Sequence, residues 1–206
     1  MRIEKSNNRV EYSEKATQPQ IGYLPGFENR LIDQETQKSV LKLLKRNSLS
    51  YFKSVLDFGC GKGENFPFLA KISECQSGID VSHNSRAISG MNICPFEPGK
   101  MHFANASFDL ICSFWTLQHI EKDEYVHQII GEFYRLLESH SYALICEGGS
   151  KSLEERLPTQ YITLFCSQAF NLIDVRRLPQ KQAGFWRMQW PSFTDEGDNL
   201  YIFQKG

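Results

Sequence analysis

One short segment constrains this chain more than any other: Val55-Leu56-Asp57-Phe58-Gly59-Cys60-Gly61-Lys62-Gly63-Glu64-Asn65. A brief apolar run ending at glycines reads as a buried parallel strand. The three glycines at two-residue spacing then turn the chain into a helix expected over 64–72. Glycine adopts backbone angles that other residues resist, and it leaves no Cβ between the backbone and a bound molecule. In a doubly wound sheet the ligand crevice lies beyond the carboxyl ends of the strands, where these glycines fall.

The rest of the chain keeps switching period. Apolar positions at Leu31, Ile32, Val40, Leu41, Leu43 and Leu44 predict a helix over 31–46. Short strands are expected at 54–58, 76–80, about 92–96, 108–114 and 141–147, and closing strands at 172–178 and 199–204. Helices are expected at 82–91, with Ser82 as N-cap, at about 121–137, and across 152–170. Strands alternating with helices imply an α/β fold, a doubly wound, mostly parallel sheet with helices on both faces. Residues 1–30 are polar and carry Pro19, Pro25, Gly22 and Gly26, so they read as an N-terminal arm or cap ahead of a single domain over 31–206.

Length and charge narrow the class. A chain of 206 residues suits one domain with a single large core. Its 23 Lys and Arg against 24 Asp and Glu leave no basic footprint for nucleic acid or an acidic membrane, which disfavours both as partners. No segment approaches the roughly 20 apolar residues of a membrane span, and the polar start lacks a signal-peptide core, so a cytoplasmic protein is expected. The six cysteines form no C-x-x-C pair and read as reduced core thiols, and no metal-ligand pattern stands out.

Two cofactors compete for a glycine loop of this kind. A dinucleotide fingerprint, G-x-G-x-x-G, needs Gly or Ala at position 64, where this chain has Glu64. A carboxylate there would repel a pyrophosphate, although it suits the helix dipole. The spacing G-x-G-x-G, preceded by Asp57, resembles the first motif of class I S-adenosylmethionine-dependent methyltransferases. The resemblance continues through Gly78-Ile79-Asp80-Val81-Ser82, Met101 to Ile111, Trp115-Thr116-Leu117-Gln118-His119-Ile120 and Glu132 to Leu137, covering about 55–147.

That resemblance implies a seven-stranded sheet with an antiparallel last strand, S-adenosylmethionine as cofactor, and methyl transfer by in-line displacement. It places Gly59, Cys60, Gly61, Gly63, Asp80, Val81, Glu97, Ser113 and Phe114 around the cofactor. Asp80 would accept hydrogen bonds from both ribose hydroxyls, which one carboxylate can do. Glu97 falls where relatives hold the adenine amino group, or is a solvated loop acid. Asp57 supports the loop's backbone, and Asp109, at a strand start, is structural. Two departures stand out: Glu138-Ser139-His140-Ser141 replaces the family's Gly-Gly turn, and the stretch from Asp80 to Phe103 is short.

The acceptor side is less defined. His119 follows strand four, where substrates approach in the family, and is either a general base or a structural histidine. Substrate walls are expected from Tyr23, Trp115 and Trp186, the last in the aromatic segment 184–194, which would fold over the crevice as a lid with the arm. With no added domain or basic patch, the expected partner is a small-molecule substrate. The rival readings are a non-catalytic methyltransferase-like subunit, a methyltransferase acting on a protein or tRNA, and an NAD-dependent oxidoreductase.

Overall fold

The computed structural model describes residues 32–80, 92–95, 100–120, 122–149, 156–178 and 197–206. The arm with Tyr23, the expected helix at 82–91, Val81, Glu97 and the aromatic segment with Trp186 lie outside the described residues. Helix α1 (Gln34–Arg46) leads into strand β1 (Phe52–Phe58), helix α2 (Phe66–Leu69), β2 (Ser73–Asp80), β3 (Asn92–Pro95) and β4 (Phe108–Phe114). A 3-10 turn (Leu117–His119), helix α3 (Asp123–Leu136), β5 (Leu137–Gly149), α4 (Pro158–Ser167), β6 (Phe170–Arg177) and β7 (Gly197–Lys205) follow. Among the described residues no helix is long and apolar enough to cross a membrane.

The strands run side by side in the order β3-β2-β1-β4-β5-β7-β6. The pairs from β3 to β5 are parallel, while β7 runs antiparallel to both β5 and β6. This is the expected mixed α/β arrangement, mostly parallel with antiparallel strands at one side. Alternation along each strand divides its apolar residues between two faces. Leu56, Phe58, Ile111, Ala143, Ile145, Tyr201 and Phe203 pack with Val126, Ile129, Ile130 and Phe133 of α3 and Tyr161 and Phe165 of α4. Val55, Leu110, Cys112, Leu144, Cys146, Leu200 and Ile202 pack on the other face with Val40, Leu43 and Leu44 of α1 and Phe66, Phe68 and Leu69 of α2. Each fully buried Leu, Ile or Phe stabilises the fold by roughly 1.5–3 kcal/mol.

Several local expectations are corrected. The helix expected over 64–72 is only Phe66–Leu69, because the chain spends residues 61–65 in turns and Pro67, lacking an N–H, sits in the helix's first turn. The turn expected at 138–141 is instead part of β5. Phe108 pairs with Leu137 and Leu110 with Tyr142, so the intervening residues bulge out, with His140 at φ 61°. Of the cysteines, Cys60, Cys112 and Cys146 are buried, but Cys75 and Cys166 are exposed rather than core. Asp109 is structural as expected: its two oxygens accept the Lys53 and Ser54 N–H groups at 2.7 and 2.9 Å.

Candidate functional site

The carboxyl ends of β1, β2, β4 and β5 lie side by side and gather the expected residues. Leaving β1, the chain turns through Gly59, Gly61 and Gly63 at φ 75°, 54° and 81°, the left-handed region that glycine occupies without strain. The turns are closed by Gly63 N–H to Cys60 O at 2.8 Å and Phe66 N–H to Gly63 O at 3.0 Å. Gly59 and Cys60 both donate to Ile79 O, which ties the loop to the end of β2. Gly78 on β2 is needed for the same fit, since a Cβ there would come within 2.5 Å of Cys60 Sγ.

Three carboxyl groups surround this loop. Asp80, buried at the end of β2, accepts the Gly61 N–H on Oδ2 at 2.8 Å. It therefore shapes the glycine loop directly, a task that sequence alone did not reveal. Asp57, 1% exposed, has an Oδ2 with no partner. Burial pushes its carboxyl up to about 8; a hydrogen bond with Asn65 opposes this, and the charges of Asp80 and Glu64 add to it. Asn65 in turn accepts the Ile32 N–H at 3.0 Å and so anchors the lead into α1. Glu64, partly exposed, caps Lys62 N–H at 3.1 Å.

The β4 side is built around a residue that the sequence reading passed over. Glu147, fully buried at the end of β5, accepts from Ser113 Oγ, Thr116 N–H and Leu117 N–H on Oε1 at 3.3, 3.1 and 2.9 Å, and from Gln118 N–H on Oε2 at 3.1 Å. Burial pushes its carboxyl up to about 8, while the Leu117, Gln118 and Thr116 N–H groups and the Ser113 hydroxyl hold it back. An acidic residue closing the apolar run Ala143-Leu144-Ile145-Cys146 was the available signal. Ser113, expected beside the cofactor, is fully buried and turns its hydroxyl to Glu147; Phe114 is buried in the core face that holds α1.

Trp115 sits at φ 51°, in the left-handed region, with a buried indole Nε1 that has no partner. His119 ends the 3-10 turn, half-buried, with Nε2 at 3.4 Å from Gln118 Nε2. Below them, Arg156 ties the turn to α3, donating to Leu117 O at 3.1 Å and Asp123 Oδ1 at 2.6 Å. The loop before β4 is clamped by Arg135, which donates to Met101 O, Phe103 O and Asn105 Oδ1, while Glu132 accepts Met101 N–H at 2.7 Å.

The residues fit a small cationic cofactor better than a dinucleotide. Asp80 and Glu64 place carboxyl groups against the loop, and a pyrophosphate would have to enter against them. A sulfonium bearing an ammonium group meets no such barrier. The unpartnered Asp57 oxygen leaves polar capacity at the end of β1, and Gly61 and Gly63 carry no side chain beside it.

Comparison with known proteins agrees. Residues 56–145 match the family model described as a methyltransferase domain. Among curated proteins no sequence relative matches. Of the solved structures, the N-methyltransferase NodS from Bradyrhizobium japonicum WM9, in complex with S-adenosylhomocysteine, superposes with a TM-score of 0.63 at 16% identity, covering 84% of this chain and 88% of that one. A Galdieria sulphuraria protein provisionally assigned as a sarcosine dimethylglycine methyltransferase gives 0.65 at 12% identity, covering 83% and 85%. The [4+2]-cyclase SpnF gives 0.63 at 16% identity, covering 89% and 86%. At these identities the structural likeness establishes the fold alone, and the family model covers 56–145, less than half of the chain. Residues 56–145 thus carry the likeness to a methyltransferase domain, within a fold shared with S-adenosylmethionine-dependent methyltransferases.

Proposed function

We propose that the chain is an S-adenosylmethionine-dependent methyltransferase that transfers its methyl group to a small-molecule acceptor, with residues 31–206 forming the domain and residues 1–30 an arm over it. The observation that carries the reading is the left-handed glycine loop at the end of β1, pinned by the Asp80 carboxylate and set among acidic groups. The balanced charge of the chain, and the sarcosine and dimethylglycine named for the Galdieria protein, support a small acceptor over a nucleic acid.

When bound, the cofactor supplies a methyl group on a positively charged sulfur, already activated for displacement. In this reading Gly59, Cys60, Gly61 and Gly63 bring backbone close to it, and Asp80 accepts its ribose hydroxyls while holding Gly61. Ser113 and Phe114 shape the floor at the end of β4, and Val81 and Glu97 extend the site toward the base. What the chain must then do is align the acceptor, and alignment alone can lower a barrier by roughly 7–11 kcal/mol. Trp115 walls the acceptor side with Tyr23 and Trp186. His119 receives a proton where the acceptor arrives as a hydroxyl or an ammonium.

Methyl-labelled S-adenosylmethionine incubated with the protein and a cell extract tests the acceptor class. Label should appear in the low-molecular-weight fraction, dependent on the protein. Label confined to macromolecular protein or RNA fractions would overturn the small-molecule reading.

A further inference from the structure

Three consecutive backbone N–H groups, those of Thr116, Leu117 and Gln118, converge on the Glu147 carboxyl at 3.1, 2.9 and 3.1 Å. Burying an acid at the end of a central strand costs stability unless both oxygens are satisfied. Here both are, so the residue is matched to this turn rather than merely filling the core.

The turn passes that placement on in two directions. Thr116 Oγ1 lies 3.2 Å from both Phe58 O and Phe114 O, and its one proton, shared between them, holds the last carbonyl before the glycine loop. The Thr116 side chain also occupies the space beside Gly59, where an added Cβ would meet Oγ1 at 2.2 Å. In the other direction, Gln118 Oε1 accepts the Gly148 N–H at 2.9 Å, and its Nε2 lies 3.4 Å from His119 Nε2.

We propose that Glu147 is a positioning residue of the methyl-transfer site: through Thr116 it sets the glycine loop, and through Gln118 it sets His119. The role rests on the reading of Gly59–Gly63 as the cofactor loop. Glu147 touches neither methyl donor nor acceptor in this account. It determines whether the two halves of the site share one geometry.

The test uses the full chain, S-adenosylhomocysteine calorimetry and amide hydrogen exchange by NMR on Glu147→Gln, Thr116→Val and Thr116→Ser. In Glu147→Gln the retained oxygen can still accept from Thr116 and Leu117, but the amide nitrogen faces the Gln118 N–H, donor against donor. Exchange should therefore quicken at Gln118 and His119 while amides in α3 stay protected, and affinity should fall on the order of tenfold. Thr116→Val keeps its N–H on Glu147 but loses the hydroxyl. It should weaken binding several-fold and speed exchange at Gly59 and Cys60, with Thr116→Ser restoring both.

A folded Glu147→Gln protein with wild-type affinity and unchanged exchange at 116–119 would overturn the proposal. So would a Thr116→Val protein indistinguishable from Thr116→Ser, and this pair decides the matter if Glu147→Gln does not fold. Failure of the wild type to bind S-adenosylhomocysteine would instead overturn the cofactor reading, and the exchange pattern at 116–119 would still decide whether Glu147 positions the turn.

Discussion

Replacing Gly59 with Ala should abolish S-adenosylhomocysteine binding and destabilise the fold more than any other single-methyl addition in the loop. Two costs combine at this position. Gly59 sits at φ 75°, where an L side chain is strained by roughly 1–2 kcal/mol. The new Cβ would also lie 2.2, 2.3 and 2.7 Å from Oγ1, Cγ2 and Cβ of Thr116, and overpacking of this kind costs about 1–3 kcal/mol. The sum is a large share of the roughly 5–15 kcal/mol that holds an ordinary domain together. For a chain of this size each kcal/mol lowers Tm by about 2–4 °C, so a fall on the order of 10 °C is expected in a thermal scan. The double variant Gly59→Ala with Thr116→Gly removes the clash and leaves the φ strain, so it should recover part of the loss. An unchanged Tm in Gly59→Ala would show that Thr116 does not pack against the loop as described.

Asp80 is the second position with a large expected effect, and two substitutions there separate its two tasks. Asp80→Ala removes the acceptor of the Gly61 N–H and leaves that donor buried, a penalty of about 1–3 kcal/mol. It also removes the proposed ribose acceptor, so both stability and cofactor affinity should fall. Asp80→Asn keeps one oxygen for Gly61 but offers a nitrogen where the ribose needs an acceptor. Its stability should stay near the wild type. Affinity for S-adenosylhomocysteine should still drop by about tenfold to a few hundredfold, the equivalent of one lost charged hydrogen bond. Equal affinity in Asp80→Asn and wild type, measured by calorimetry, would remove Asp80 from the ribose.

The contrast between Asp80 and Glu147 shows what the sequence made legible. Asp80 lies in a local pattern, an apolar strand ending in an acid one strand after a glycine loop, so its place at the site could be read directly. Its bond to Gly61 could not, because that depends on how the ends of β1 and β2 meet. Glu147 also ends an apolar strand, but its function comes from backbone groups about thirty residues earlier, and no period or spacing links Glu147 to Thr116. The strands themselves were readable because buried parallel strands are short apolar runs, and the same holds for α3, whose apolar stripe is regular. Phe68, Leu69 and Ile72 have helical spacing and predict a longer helix after the glycine loop than forms, because turns carry the chain through 61–65. At 138–141, where the resemblance implies a turn, the chain makes the connection with a bulge inside β5. Asn65, expected inside the helix over 64–72, instead joins Asp57 to the lead of α1.

The most direct test of the central claim is calorimetric titration of the full-length protein with S-adenosylmethionine, S-adenosylhomocysteine and NAD under identical conditions. The acidic surroundings of the glycine loop and Glu64 at the position where a dinucleotide fingerprint needs a small residue predict saturable binding of the first two and no heat from NAD. Saturable binding of NAD with no response to S-adenosylhomocysteine would contradict the account.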